Sequence, residues 1–272
     1  PDHRPALLLE VLDHRPEHRR LAGPGRSLDG DDQVGGVGGE LGGGGLGVDG
    51  GMADYLLVPH HRHLVPLPAG LDPVTAAALT DAGLTPYHAI RRSWSKLTPD
   101  ATIVLIGVGG LGHLAVQIAR ATTAAQVIAV DVKSEALELA RKVGAHHTLA
   151  SDDNAAQAIR ELTGGRGADV LIDFVGAAPT IELARTAARN QADVTIVGIA
   201  GGEVPVSFFS QPYEVSIATT YWGTRPELVE LLALAARGDV SVERSTYSLE
   251  DGVQAYRDLH AGRVHGRAVV VP

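Results

Sequence analysis

Three glycines at fixed spacing, and one aspartate further on, carry the clearest chemistry in this chain. Gly107, Gly109 and Gly112 lie in the stretch Val104-Leu105-Ile106-Gly107-Val108-Gly109-Gly110-Leu111-Gly112-His113. They fit G-x-G-x-x-G, the pattern of a strand that turns into a helix around a dinucleotide. Gly107 permits the tight turn, Gly109 leaves room for a pyrophosphate against the backbone, and Gly112 lets the helix pack closely on the strand. The helix that starts there, with Gly110 and Leu111 in its approach, offers N–H groups and a positive dipole end to phosphate. A second strand, Val127-Ile128-Ala129-Val130, ends in Asp131, nineteen residues past Gly112. That is close to the roughly 20 residues expected for the acid that binds the adenosine ribose. Asp131 places negative charge where the 2′-phosphate of NADP would sit, so NAD is the expected cofactor, with Lys133 nearby softening the repulsion.

Other titratable groups invite a metal reading. Asp81 follows the small apolar run Ala76-Ala77-Ala78-Leu79, and a buried carboxylate needs a base, several N–H groups or a metal beside it. His60, His61 and His63 are close together, and His61 and His63 would share one face of a strand. With no carboxylate or fourth group nearby, they do not make a metal site. No G-x-S-x-G is present, which gives serine hydrolysis no support.

The elements that must position these residues are read from periodicity. Asp72 is a helix N-cap with Pro73 in the first helical position. The helix over Val74 to Leu79 is buried, and Leu84 to Trp94 forms another. After the glycine turn, strands and helices alternate. A helix over Ser134 to Val143, capped by Ser134, stops at Gly144, and a short strand runs near His147-Thr148-Leu149. A helix covers Asn154 to Leu162, a strand Ala168 to Phe174, and a helix Thr180 to Arg189. Strands Val194 to Ile199 and Ser216 to Tyr221 follow, then a helix from Pro226 to Arg237. Strands of continuous β-branched type alternating with helices predict an α/β fold, a Rossmann doubly wound parallel sheet covered on both faces. Gly107, Gly176 and Gly198 then fall beyond the carboxyl ends of strands, where ligands bind. A helix over Gly252 to Leu259 and a strand Arg267 to Val271 close the chain. The last strand is expected to join extended segments around residues 52–68 in a small β unit.

Composition bounds the reading. There are 272 residues, 44% hydrophobic, with 23 basic and 32 acidic side chains, net charge −9 and no cysteine. The acidic balance argues against a nucleic-acid partner. No apolar run is long enough to span a bilayer, no signal peptide pattern appears, and a cytoplasmic protein is the default. The absence of cysteine excludes thiolate metal sites and cysteine nucleophiles. Residues 1–50 read differently from the rest: glycine-rich, with short charged pieces such as His14-Arg15-Pro16-Glu17-His18-Arg19-Arg20 and no sustained period. They are expected to be disordered or poorly packed. The domain reading is therefore 1–50 atypical, 51–98 a remnant of a catalytic domain with linking helices, 99–240 the dinucleotide domain, and 241–272 the return to the catalytic domain.

From about Gly45 onward the chain resembles the zinc-type medium-chain alcohol dehydrogenases, especially bacterial secondary-alcohol enzymes. The resemblance rests on Gly51-Met52-Ala53-Asp54-Tyr55, on Leu79-Thr80-Asp81-Ala82-Gly83-Leu84-Thr85-Pro86-Tyr87-His88, and on the glycine turn through His113. It extends to Asp173-Phe174-Val175-Gly176-Ala177, Val197-Gly198-Ile199 and Tyr221-Trp222-Gly223-Thr224-Arg225. It implies a partial GroES-like β unit, formed by the segments that flank the Rossmann domain. It implies that Asp81 matches the third catalytic-zinc ligand and that Thr85 sits beside the nicotinamide. Asp131 takes the ribose hydroxyls, and Val175 and Gly176 line the adenosine and ribose side. Val197, Gly198 and Ile199 give backbone contacts to the carboxamide. Tyr221 and Trp222 lie at the nicotinamide and substrate pocket, and Arg267 near the pyrophosphate. The implied reaction oxidises a primary or secondary alcohol with hydride passing to NAD, and the implied assembly is a homodimer or homotetramer. Residues 1–50 hold neither the family's upstream Cys and His zinc ligands nor its four-cysteine lobe. The expectation is an N-terminal region truncated or altered relative to the family, with weak zinc retention. A catalytically impaired NAD-binding remnant and a zinc-free quinone or enone reductase stand as alternatives.

Overall fold

A computed structural model describes residues 51–53, 56, 58 and 63–271. The calls made on residues 1–50, on most of 53–59 and on His60 and His61 lie outside the described residues. The chain divides into two compact units. One comprises residues 85–221 and 237–241, the other the described residues up to Leu84 with 222–236 and 242–271. These divisions fall elsewhere than the sequence boundaries at 98/99 and 240/241. Residues 222–236 group with the helices around residue 80, because Leu231 packs against Gly83 closely enough that a methyl on that glycine would lie 2.8 Å away.

The larger unit is a six-stranded parallel sheet. Its strands are β1 (Thr102–Ile106), β2 (Gln126–Asp131), β3 (His147–Ala150), β4 (Ala168–Asp173), β5 (Ala188–Ile196) and β6 (Ser216–Thr219), in the order β3-β2-β1-β4-β5-β6. Helices α3 (Gly112–Thr122), α4 (Ser134–Lys142), α5 (Ala155–Leu162) and α6 (Ala178–Ala187) make the crossovers. This is the doubly wound order, with its reversal between β1 and β4. Strands buried on both faces must be apolar throughout, and β1 is buried at every position. Val104, Ile106, Ile128, Val130 and Leu171 pack with Ile159 of α5 and Leu183 and Ala184 of α6. The alternate residues Ile103, Leu105, Val127, Ala129, Val170 and Ile172 are also fully buried, and α3 lies against β1 and β2.

Several boundaries moved, most of all around α6 and β5. Helix α6 stops at Ala187 instead of Arg189, and β5 starts at Ala188 and ends at Ile196. The register between β4 and β5 shifts between Ala168 and Val170, and Gln191 takes φ 64° within β5. This bulge is invisible to a search for apolar runs, because the strand opens on the polar residues Arg189, Asn190 and Gln191. Ser134 is the first residue of α4, and the cap position falls to Lys133 with no side-chain cap.

The other unit holds α1 (Pro73–Ala78), a π-helical turn over Leu79–Gly83, and the start of α2 (Leu84–Arg92). Asp72 caps α1 as expected, accepting from the N–H groups of Val74 and Thr75 at 3.2 and 3.1 Å. The unit also contains α7 (Arg225–Ala236), β7 (Arg244–Ser248), α8 (Gly252–His260) and β8 (Arg267–Val271). Among the described residues β8 pairs with β7, in parallel, and not with the 52–68 segment. Residues 63–68 form no strand. Pro66 and Pro68 have no N–H to give a ladder. Residues alternate along β8: Val269 packs with Ala77 and Ala78 of α1, while Ala268 and Val270 pack with Ala255 of α8. Among the described residues no helix is long and apolar enough to cross a membrane.

At the amino ends of the strands, one buried carboxylate ties three segments. Asp169, 3% exposed, receives both guanidinium nitrogens of Arg166 at 2.7 and 3.0 Å, Nε of Arg189 at 2.6 Å and the N–H of Thr102 at 2.8 Å. Burial alone would raise this carboxyl. The bonds from Arg166, the Thr102 N–H and Arg189 override it and leave it below its ordinary 3.8. Because the folded value is depressed, the stabilisation is present above the ordinary carboxylate range and is lost as pH falls through the lower folded value. Asp169→Asn should therefore cost about 2–4 kcal/mol at neutral pH. In denaturant melts taken between neutral pH and about pH 3, the variant should lose less stability on acidification than the parent chain.

Candidate dinucleotide site at the carboxyl ends of the strands

The glycine turn is built from backbone that only glycine allows. Gly107 has φ 88°, and its N–H donates to Val130 O at 2.8 Å. A methyl on Gly112 would lie 1.9 Å from Gly107 O, whereas a methyl on Gly109 would meet nothing within 4 Å. The two glycines thus do different work: Gly112 closes helix on turn, and Gly109 faces open space where a ligand backbone can approach. Helix α3 starts at Gly112, and its cap position, Leu111, has no side-chain cap; the N–H groups of His113 and Leu114 turn back onto Gly109 O and Leu111 O at 3.2 and 3.1 Å. The buried His113 braces the turn. Its Nδ1 lies 2.9 Å from Gly109 O, which requires a proton on Nδ1 because a carbonyl only accepts.

Asp131 stands at the end of β2. Its two carboxylate oxygens accept from Val108 N–H at 2.6 Å and Lys133 N–H at 2.9 Å. The acid expected to meet a ribose is thereby also a brace for the glycine turn, a contact that local sequence pattern does not reveal. Two N–H donors leave lone pairs on each oxygen for hydroxyl groups.

A second loop pair completes this edge. Asp173, fully buried at the end of β4, accepts from the N–H groups of Val175 and Gly176 at 2.8 and 3.0 Å and from the Thr180 hydroxyl at 2.7 Å. Its backbone oxygen accepts from Val197 and Gly198 N–H at 2.8 and 3.0 Å. The loops after β4 and β5 then run backbone against backbone. A methyl on Gly176 would sit 2.0 Å from Gly198 O, and one on Gly198 2.1 Å from the Val175 carbonyl carbon. Val175 also faces Gly107, with 2.7 Å between its Cγ2 and a methyl placed there.

The structure therefore brings together Gly107, Gly109, Gly110, Leu111, Gly112, Asp131, Lys133, Val175, Gly176, Val197, Gly198 and Ile199 at the carboxyl ends of β1, β2, β4 and β5. Thr85, buried, and Tyr221, 46% exposed, belong to the same unit at its chain limits. Asp81, Trp222 and Arg267 belong to the other unit. Asp81 sits in the π-helical turn, an irregularity frequent at functional sites. Trp222 has φ 42°, an uncommon conformation for a bulky residue. Asp173 and Thr180 are organisers that the sequence reading passed over. So is Glu227, buried, which accepts from Thr224 N–H at 2.7 Å in a T-x-x-E capping box legible in the sequence.

A nicotinamide dinucleotide fits this edge: open backbone at Gly109, a helix terminus without a side-chain cap for pyrophosphate, and a carboxylate at Asp131 for the ribose. Zinc is not matched in the same way. Among the described residues no three His, Cys, Asp or Glu side chains gather so as to hold a metal.

The two glycines separate folding from binding. Gly112→Ala should destabilise the chain by more than about 2 kcal/mol, because backbone must shift. Gly109→Ala should melt within about 1 kcal/mol of the parent yet lose most affinity for NADH, measured by cofactor fluorescence.

Known proteins agree with this geometry. The zinc-binding dehydrogenase family model matches residues 110–237. The chain is 35% identical over 235 residues to an NAD-dependent alcohol dehydrogenase of Sulfurisphaera tokodaii, covering 84% of this chain and 66% of that protein. Among solved structures it superposes on the alcohol dehydrogenase of Aeropyrum pernix with a TM-score of 0.77 and 38% identity, covering 84% of this chain and 67% of that one. It also superposes on an acetophenone reductase of Geotrichum candidum solved in complex with NAD, with a TM-score of 0.73, 29% identity, and 84% and 64% coverage. The chain thus spans about two thirds of the length of the relatives it matches. On the glycine turn, the doubly wound sheet and these likenesses together, the chain belongs to the zinc-type alcohol dehydrogenase family.

Proposed function

We propose that this chain carries the cofactor half of an NAD-dependent alcohol dehydrogenase acting on a small primary or secondary alcohol or the matching carbonyl compound. The observation that carries the reading is the contrast between Gly109 and Gly112, one open and one closed, beside a strand-end carboxylate. Gly109, Gly110, Leu111 and Gly112 receive the pyrophosphate at the start of α3. Asp131 receives the adenosine ribose hydroxyls, with Lys133 beside it. Val175 and Gly176 line the adenosine and ribose side, and the backbone of Val197, Gly198 and Ile199 receives the carboxamide. Thr85, Tyr221, Trp222 and Arg267 keep the roles that the resemblance gives them; Asp81 stands where the family has a zinc ligand, but among the described residues no three His, Cys, Asp or Glu gather there to hold the metal. Bound NAD supplies the hydride acceptor; the residues here bind and orient it.

The negative charge of Asp131 makes NAD the preferred form. Titration with both reduced cofactors should show NADH binding at least about tenfold tighter than NADPH, and Asp131→Ser should narrow that gap by removing the repulsion. Equal or tighter NADPH binding by the parent chain would defeat the cofactor reading. Propan-2-ol oxidation assayed beside enone reduction tests the substrate class. Turnover of the enone alone would favour a zinc-free reductase.

The reading extends to self-association. Strand β6 ends the sheet, with β5 as its partner among the described residues, and a parallel sheet edge invites another strand. The chain leading into it exposes Phe208 and Phe209, 76% and 86% accessible, stacked edge to face at 4.9 Å. A homodimer or homotetramer formed through this edge should appear by light scattering, and Phe208→Asp with Phe209→Asp should shift it toward monomer. A parent chain that is monomeric at working concentration would refute it.

A further inference from the structure

His113 is a fully buried titratable side chain to which the dinucleotide reading assigns nothing. It is the second residue of α3, and its backbone and its ring turn back on the same atom. The backbone N–H donates to Gly109 O at 3.2 Å, and Nδ1 lies 2.9 Å from that oxygen. The ring bond is the shorter of the two, and it needs the proton on Nδ1. Helix packing alone does not call for an imidazole here. The residues that follow, Leu114, Ala115 and Val116, are apolar and fully buried, and a polar ring among them costs free energy unless it is bonded.

What the ring bond fixes is the plane of one peptide. The Gly109–Gly110 bond is trans, and in a trans peptide the N–H points opposite to the C=O. Holding Gly109 O against His113 therefore turns the Gly110 N–H away from the buried ring. That is the side on which Gly109 is exposed and Gly110 half-buried. A peptide between two glycines rotates more freely than any other, because neither residue has a Cβ to resist it. A flip would present a carbonyl oxygen to the ligand in place of the N–H. An N–H bonds a phosphate oxygen with charge assistance, whereas a carbonyl oxygen repels it. With no side chain at Gly109 or Gly110, the orientation of this peptide has to be set from another residue.

We infer that His113 is a positioning residue for the dinucleotide pyrophosphate: its Nδ1–H holds the Gly109 carbonyl so that the Gly110 N–H faces the phosphates. This role rests on the dinucleotide reading of the turn. His113 itself touches neither cofactor nor substrate and moves no proton. Its influence is confined to ligands that carry a pyrophosphate, which a general contribution to folding would not be.

Ligand titrations of the whole chain test this in the parent, His113→Leu and His113→Asn. NADH and ADP-ribose are followed by calorimetry, and adenosine, which lacks the pyrophosphate, by NMR. Leucine removes the donor, while asparagine places an amide N–H close to where the imidazole Nδ1–H stands. Expected in His113→Leu is a loss of about tenfold for NADH and ADP-ribose, with adenosine within about twofold of the parent. His113→Asn should restore both dinucleotide ligands to within about threefold of the parent. Two readouts need no variant to fold. In the parent chain the 15N pattern of the His113 ring should show a proton on Nδ1, and the Gly110 amide should shift with ADP-ribose and not with adenosine. Unchanged NADH affinity in His113→Leu, equal losses for adenosine and ADP-ribose, no recovery in His113→Asn, an Nδ1 without a proton or an unmoved Gly110 amide would each overturn the inference and leave the dinucleotide reading standing. A parent chain that binds neither NADH nor ADP-ribose would defeat that reading, and the role of His113 with it.

Discussion

The carboxyl edge of the sheet depends on one buried carboxylate, that of Asp173. Loops that leave neighbouring parallel strands at the same edge must place their N–H groups somewhere, and buried unpaired N–H groups are costly. Asp173 takes two of them, Val175 and Gly176, on one oxygen and the Thr180 hydroxyl on the other, while its backbone oxygen takes Val197 and Gly198. One residue therefore fixes both the loop that starts α6 and the loop that leaves β5. Asp131 repeats the device at the end of β2, holding Val108 and Lys133. A ligand that meets this edge meets backbone already oriented by acids.

That arrangement is what makes the glycines necessary. With the loops pinned by their N–H groups, no slack remains to admit a Cβ between Gly176 and Gly198 or between Gly112 and Gly107. Glycine costs more backbone entropy on folding than any other residue, and here that cost is offset by hydrogen bonds formed in a buried setting. Gly109 is the exception: a Cβ there meets nothing within 4 Å, so it has the space for a side chain and no steric need to lack one.

Much of this was legible in the sequence, for a physical reason. Strands buried on both faces are continuous apolar runs, so β1, β2 and β4 announced themselves, and the spacing of Gly107, Gly109 and Gly112 named the turn. What escaped was polar. Strand β7, Arg-Ser-Thr-Tyr-Ser, packs Tyr247 inward among mostly partly exposed neighbours, and no period survives in five residues. The start of β5 is hidden behind Arg189, Asn190 and Gln191. The π-helical turn around Asp81 inserts a residue without altering composition. The second function of Asp131, bracing Val108, depends on a contact across 23 positions, and local pattern holds no trace of it.

The two ends of the sheet solve opposite problems with the same chemistry. At the amino ends, Asp169 is surrounded by Arg166, Arg189 and the Thr102 N–H, and the charge is neutralised within the protein. At the carboxyl ends, Asp131 is held by the N–H dipoles of Val108 and Lys133, and Asp173 by N–H dipoles and a hydroxyl. A carboxylate matched by guanidinium has little left to offer a ligand. One held by dipoles keeps both its charge and spare lone pairs. The same fold thus keeps a neutralised carboxylate at one end and a polarised rim at the other, and the direction of the strands decides which end is which.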